Sequence, residues 1–164
     1  MAAICLLDAH HCRDGFDCGE IALNEFLVHQ AGQQQKRGFG KTYVAFARDG
    51  KTVIGFVTVS AGQIAAASLA SQTKLPRHPA PMLRIGRLAV DKRHQGQGIG
   101  QDLLAFALRL AVEFSRRVGL YAVVVDAKRD KAKSFYLKLG FIACVDNPLC
   151  LYLPVATIGH SMQE

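Results

Sequence analysis

Long apolar runs are missing from this chain. No stretch approaches the 18 residues of a membrane-spanning helix, so no membrane contact is expected. Residues Met1 to Asp8 lack a basic segment and carry too short an apolar run for a secretory signal, which points to the cytoplasm. Cysteines are few and odd in number (Cys5, Cys12, Cys18, Cys144, Cys150) and include no C-x-x-C pair. They are expected as reduced, mostly buried thiols, with neither disulfides nor zinc. His10 and His11 show no ligand spacing and are expected in solvent, so no metal is expected. Repeats, low-complexity tracts and linkers are also missing, which fits one domain over residues 1–164 with its own core. Acidic residues are scarce: 13 Asp and Glu face 20 Lys and Arg, a net charge of +7 that favours a polyanionic partner.

The most informative segment that is present is Arg93-His94-Gln95-Gly96-Gln97-Gly98-Ile99-Gly100. It follows a strand-like run, Leu83 to Val90, and opens a helix-like run, Ile99 to Val118. A glycine-rich turn at a helix start aims several N–H groups one way, and the helix dipole adds positive potential, which suits a pyrophosphate. No Lys-Ser or Lys-Thr follows, so it is not a P-loop. The glycine spacing and its place past mid-chain do not fit a dinucleotide fold.

Around this loop the periodicity predicts helix, hairpin, strand, long helix, strand, helix and two strands, a mixed α/β sheet. Asp17 with Glu20 reads as a capping box for a helix whose face is Leu23, Phe26 and Leu27. Thr42–Ala47 and Val53–Val59 flank a hairpin turn at Asp49-Gly50. Residues 64–75 are ambiguous, and Pro76, Pro79 and Pro81 suggest an extended loop. In Leu83–Val90, Leu83 and Ile85 share one parity and Leu88 and Val90 the other. If both pairs enter the core, the strand shifts phase at a β-bulge near Gly86 and Arg87. The long helix carries Ile99, Leu103, Phe106, Leu110 and Phe114 on one stripe and ends at Gly119. A buried strand at Ala122–Val125, a helix at Asp130–Leu139 stopped by Gly140, and strands at Phe141–Val145 and Leu149–Leu153 complete the pattern.

The segment Ala132-Lys133-Ser134-Phe135-Tyr136-Leu137-Lys138-Leu139-Gly140-Phe141 resembles the A-x-x-F-Y-x-x-x-G-F signature of the GCN5-related N-acetyltransferases (GNAT). The Arg-x-x-Gly-x-Gly loop resembles that family's coenzyme A loop. The resemblance implies a GNAT fold: a mixed, mostly antiparallel sheet, splayed at a β-bulge in its fourth strand and flanked by helices. It implies acetyl-CoA as co-substrate, with backbone groups of Leu88, Ala89 and Val90 on the pantetheine arm. Arg93, Gln95, Gly96, Gln97, Gly98, Ile99 and Gly100 would hold the pyrophosphate, Ser134 and Phe135 would also line the cofactor, and Tyr136 would face the thioester sulfur. A tyrosine suits that place because attack by an amine expels a thiolate that a nearby O–H can protonate. Of two adjacent helical residues, Phe135 is the better core residue, which leaves Tyr136 for the cleft.

A narrower likeness covers residues 16–153. Phe16-Asp17-Cys18-Gly19, Leu23-Asn24-x-Phe26-Leu27, Thr42-Tyr43-Val44, Ser60-Ala61-Gly62 and Gly86-Arg87-Leu88-Ala89-Val90-Asp91 resemble, in order, blocks of the GNAT toxins that acetylate aminoacyl-tRNA. That likeness implies a homodimer and a ribbon-helix-helix antitoxin. The clusters holding Lys36, Arg37, Arg84, Arg87, Lys128 and Arg129 are then expected on tRNA phosphates. An aminoacyl ester has an amine of pKa at or below about 8, so no strong general base is required. Asp126 and Glu113 are candidate bases only by elimination. Acetylation of a small amine or a protein amino group, and a non-catalytic CoA-binding protein, stay open on the residues alone.

Overall fold

The computed structural model describes residues 2–69 and 78–162. Seven strands form one sheet in the order β1-β2-β3-β4-β5-β7-β6. They are β1 (Ile4–Leu6), β2 (Lys41–Phe46), β3 (Val53–Ile64), β4 (Ala80–Val90), β5 (Ala122–Asp126), β6 (Ile142–Ala143) and β7 (Cys150–Pro154). The helices are α1 (Ile21–Glu25), α2 (Ala31–Lys36), α3 (Ile99–Ser115), α4 (Asp130–Lys138) and α5 (Val155–Met162), with a π-helical turn Phe26–Gln30 joining α1 to α2. β1–β2, β2–β3, β5–β7 and β6–β7 pair antiparallel, whereas β4–β5 is parallel. Among the described residues no helix is long and apolar enough to cross a membrane.

By its contacts the chain divides into two compact units, residues 1–60 with 86–107 and residues 61–85 with 108–164. The first unit's core joins Leu7, Phe16, Leu23, Phe26, Leu27, Ala31, Val44, Val53, Phe56 and Ala89. The Phe56 ring meets Phe16 edge-on at 5.6 Å and stacks with Phe26 at 6.2 Å. The β2–β3 turn forms where Asp49-Gly50 predicts it. Gly50 has φ +78°, and Asp49 Oδ1 accepts from the amides of Lys51 and Thr52. The second unit's core joins Ile64, Leu69, Met82, Ala122, Val124, Cys144 and Tyr152. β5 is a continuous buried run, Ala122 to Val125, as a strand paired on both sides requires.

Helix α3 turns a different stripe inward from the one its large residues suggest. Ile99 and Leu103 are buried, but Leu104, Ala107 and Ala111 continue the stripe, while Phe114 is 39% exposed. Phe106 is half-buried and packs on Tyr43 at 4.8 Å between ring centroids. Small residues win because α3 lies close over β3 at Gly55. A Cβ there would stand 3.0 Å from Leu103 Cδ1 and 3.2 Å from the Ala89 oxygen. Gly55→Ala is therefore expected to cost about 1–3 kcal/mol by overpacking, read as a lower urea midpoint with an unchanged slope.

Several other expectations are corrected. Helix α1 begins at Ile21 with Glu20 as N-cap and no side-chain cap, so the capping box does not form. Asp17 Oδ1 instead accepts from the Gly19 amide and from Asn24 Nδ2. Helix α3 ends at Ser115, short of Gly119. Strand β4 starts at Ala80, so Pro81 sits in a strand and its carbonyl accepts from the Tyr121 amide; Pro76 lies outside the described residues. Within β4, Met82, Leu83, Ile85 and Ala89 are buried, on both parities, whereas Leu88 and Val90 are half-buried. What is observed near Gly86 is the end of the parallel ladder, which pairs Met82–Ile85 with Ala122–Val125. Only Cys144 among the cysteines is buried, and Cys12 is exposed. His11 is buried, not in solvent, because its Nδ1 accepts the Asp8 amide at 2.9 Å.

Candidate active site

The glycine loop in the first unit is built for an anion. Gly96 and Gly98 have φ +80° and +84°, and nothing lies within 4 Å of a Cβ added at either. These glycines are needed for backbone conformation, not for room. The turn they make delivers the chain into α3, whose first main-chain bond from outside runs from the Asp102 amide to the Gly98 oxygen, 3.0 Å. The amides of Ile99, Gly100 and Gln101 have no acceptor among the described residues, as the first turn of a helix leaves them. Residues 95–98 are exposed, so these donors face an open approach. Gly100 is ordinary helix, and a Cβ there would touch only Val90 Cγ2 at 3.7 Å. Gly100→Ala is expected to leave the fold as stable or raise it by up to about 1 kcal/mol, since Ala is the better helix former. Thermal denaturation checks this.

The loop is held by Asp91, which the sequence reading passes over. Asp91 is 1% exposed. Its Oδ1 accepts from the Arg93 amide and Nε (2.9 and 3.0 Å), and its Oδ2 from Arg93 Nη2 (3.2 Å) and the Asp17 amide (3.1 Å). The Arg93 guanidinium holds the Asp91 carboxyl far below the usual carboxylate range, helped by the two amides and opposed by burial. The Asp17 turn is tied in twice more, by the Lys92 amide to the Asp17 oxygen and by Lys92 Nζ to Asp17 Oδ2 at 3.4 Å. Gln95 Nε2 donates to the Val90 and Cys18 oxygens at 3.0 and 3.3 Å. Thus the side chains of Arg93 and Gln95 hold the loop, which leaves the backbone to bind. The Val90 carbonyl is likewise occupied, by Gln95 Nε2.

In the second unit, α4 carries Ser134, Phe135 and Tyr136. The expected division is reversed: Tyr136 is buried, Phe135 is half-buried and Ser134 is exposed. Tyr136 inserts between the edges of Phe135 and Phe141, each 5.3 Å between centroids. Gly140, at φ +97°, turns the chain so that Phe141 can return to this ring. Burial pushes the Tyr136 phenol up to about 12, so it keeps its proton at neutral pH.

The basic residues divide by their partners. Arg84 is ion-paired with Asp126, both side chains being partly exposed. Arg87 lies over the Phe26 ring, its Cζ 3.7 Å from the centroid, and burial lowers its pKa. It is not on the solvated rim expected of it. Lys36, Arg37, Lys128 and Arg129 are exposed, with Arg37 over the Phe39 ring at 5.1 Å. Glu113 is exposed on α3. No group of three or more metal-ligating side chains occurs among the described residues.

The first unit thus offers a strand, a glycine turn and a helix with open N-terminal amides, and the second a buried phenol on α4. The family model for the acetyltransferase (GNAT) domain matches residues 38–143, and the chain belongs to that family. It is 34% identical over 140 residues to a tRNA-acetylating toxin of Mycobacterium tuberculosis (strain ATCC 25618 / H37Rv), covering 84% of this chain and 82% of the relative. Among solved structures, AtaT complexed with acetyl-methionyl-tRNAfMet is similar with a TM-score of 0.92 and 33% identity over 99% of both chains. A tyrosine mutant of AtaT bound to the C-terminus of the antitoxin AtaR and acetyl-CoA has a TM-score of 0.85 and 31% identity, over 99% of this chain and 98% of that one.

Proposed function

We propose that this chain is a toxin that transfers acetyl from acetyl-CoA to the α-amino group of aminoacyl-tRNA. The observation that carries the reading is the glycine loop, its side chains spent on bracing and its helix amides left open, in a chain a third identical to tRNA-acetylating toxins. The neutral amine attacks the acetyl carbonyl, and its N–H proton leaves to water. The tetrahedral intermediate collapses, the C–S bond breaks, and Tyr136 donates its phenolic proton to the departing sulfur. The phenol is reprotonated from solvent. A carboxylate base is not required, because the α-amino group has a pKa of about 8 or less.

The reading further assigns residues 1–164 to a single domain, since the family model draws on both units. Lys36, Arg37, Lys128 and Arg129 meet tRNA phosphates, the site of action is the cytoplasm, and an antitoxin neutralises the enzyme. A homodimer fits the exposed apolar side chains Leu137, Leu139, Ile142, Val145 and Leu149 around β6, a sheet-edge strand of two residues. The decisive experiment offers radiolabelled acetyl-CoA with charged tRNA, polyamines, aminoglycosides and peptides. Label on charged tRNA alone is expected, and label on a small amine instead would overturn the substrate. Lys36→Ala or Arg37→Ala should weaken tRNA binding and flatten its salt dependence by about one counterion, with acetyl-CoA affinity unchanged. An unchanged salt slope for both variants would remove these residues from the tRNA site.

A further inference from the structure

Outside the acetyl-transfer machinery, the second unit holds two thiols in contact. Cys144 follows β6 and Cys150 opens β7. The β6–β7 register, Ile142 opposite Tyr152 and Ala143 opposite Leu151, continues so that Cys144 stands opposite Cys150. The Cys144 amide donates to the Cys150 oxygen at 2.8 Å, and the two Sγ atoms are 3.1 Å apart. Directly opposed residues of an antiparallel pair have Cβ atoms about 4.5–5.5 Å apart, and a disulfide needs about 3.5–4.5 Å. A small contraction of the ladder is thus enough. The short turn through Asp146, Asn147 and Pro148 keeps the sulfurs together, with the Cys150 amide bonded to the Asn147 oxygen at 3.0 Å.

We propose that Cys144 and Cys150 are a dithiol–disulfide couple, a site of reversible oxidation in the β6–β7 hairpin. Hydrogen peroxide is the oxidant class that suits it. The half-exposed Cys150 sulfur attacks one peroxide oxygen, the O–O bond breaks, and sulfenic acid and one water form. Cys144 then attacks that sulfur, the S–O bond breaks, and the disulfide and a second water form. Two thiols lose two electrons and two protons, and one peroxide becomes two waters. A small dithiol reverses the step by exchange. Burial raises both thiols, Cys150 to about 12, so the thiolates are scarce at neutral pH and oxidation is slow until oxidant is plentiful. A couple of this kind, reduced in ordinary cytosol and closed under oxidative load, fits how cytosolic disulfides are used. The same hairpin begins at Phe141, whose ring packs on Tyr136, and Cys150 is the register partner of Asp126.

The test uses the unmodified chain. No Lys or Arg follows Lys138, so trypsin releases both cysteines in one peptide, residues 139–164. The protein is treated with excess hydrogen peroxide at pH 8, alkylated, digested and weighed. Reduced protein should give this peptide with two alkyl groups. Oxidised protein should give it with none and about 2 Da lighter than the free dithiol, restored by dithiothreitol. Exposed Cys12 serves as the control for oxidant reaching the protein. Two alkyl groups persisting after Cys12 has reacted would overturn the proposal, and so would Cys144 or Cys150 joined to another cysteine. In Cys150→Ser the light, unalkylated form should disappear and Cys144 should stay alkylatable.

Discussion

Replacing Tyr136 with Phe is expected to lower acetyl transfer by about 10²–10⁴-fold, the range of a lost general acid. Growth arrest on induction should disappear with it. The ring stays between Phe135 and Phe141, whose edge contacts do not use the hydroxyl, so the fold and acetyl-CoA affinity should hold. On the proposed mechanism only the proton for the leaving sulfur is lost. The phenol is pushed from its usual 10 to about 12 by burial, so a general acid of this kind is competent across the physiological range and is lost as pH rises through about 12. No alkaline limb from Tyr136 should appear in the rate between pH 7 and 10. The same shift acts on stability. The fold favours the protonated phenol, so its contribution is complete below pH 10 and declines as pH rises from 10 towards 12. Tyr136→Phe should therefore unfold less steeply in alkali than the parent. Full activity in the variant would remove Tyr136 from the chemistry. Activity lost together with acetyl-CoA binding would make it a packing residue.

Asp91→Ala is expected to cost about 2–3 kcal/mol of stability, because it removes a buried charged acceptor that holds donors from Arg93 and Asp17. It should also weaken acetyl-CoA roughly tenfold, about 1.4 kcal/mol. Both effects have one origin. Asp91 joins the Asp17 turn to Arg93 at the head of the glycine loop, and without it the loop that presents the helix amides is no longer fixed. Asp91→Asn keeps an acceptor oxygen but loses the charge, and should fall between the two. The sign of the pH effect follows from the lowered pKa. Its stabilisation is present above the ordinary carboxylate value of 3.8 and is lost as pH falls below it. Urea denaturation between pH 2 and 6 should show the parent losing stability towards acid faster than Asp91→Asn. Equal acid slopes, or an unchanged acetyl-CoA affinity in Asp91→Ala, would show that the carboxylate does not organise the loop.

The sequence by itself determined whatever is written in local backbone terms. Gly96 and Gly98 at positive φ, the Asp49-Gly50 turn, the apolar run of β5 and the glycine stop after α4 depend on neighbours within a few residues. The glycine loop and the tyrosine-bearing helix were legible for that reason, and the family likeness rests on the same segments. Tertiary structure decided which side chains the site can use. Asp91 binds an amide 74 residues away, so no spacing rule points to it. Arg84 and Arg87 look like any basic cluster until Asp126 and the Phe26 ring are placed against them. Phe135 and Tyr136 exchange places because Phe141 returns to pack on the tyrosine, and α3 buries alanines because Gly55 lets it come close. The edge strand β1 spans three residues, too few for periodicity to register. Backbone conformation is set by the residue and its neighbours, whereas burial and charge pairing are set by the surface a distant segment brings, which a linear pattern does not carry.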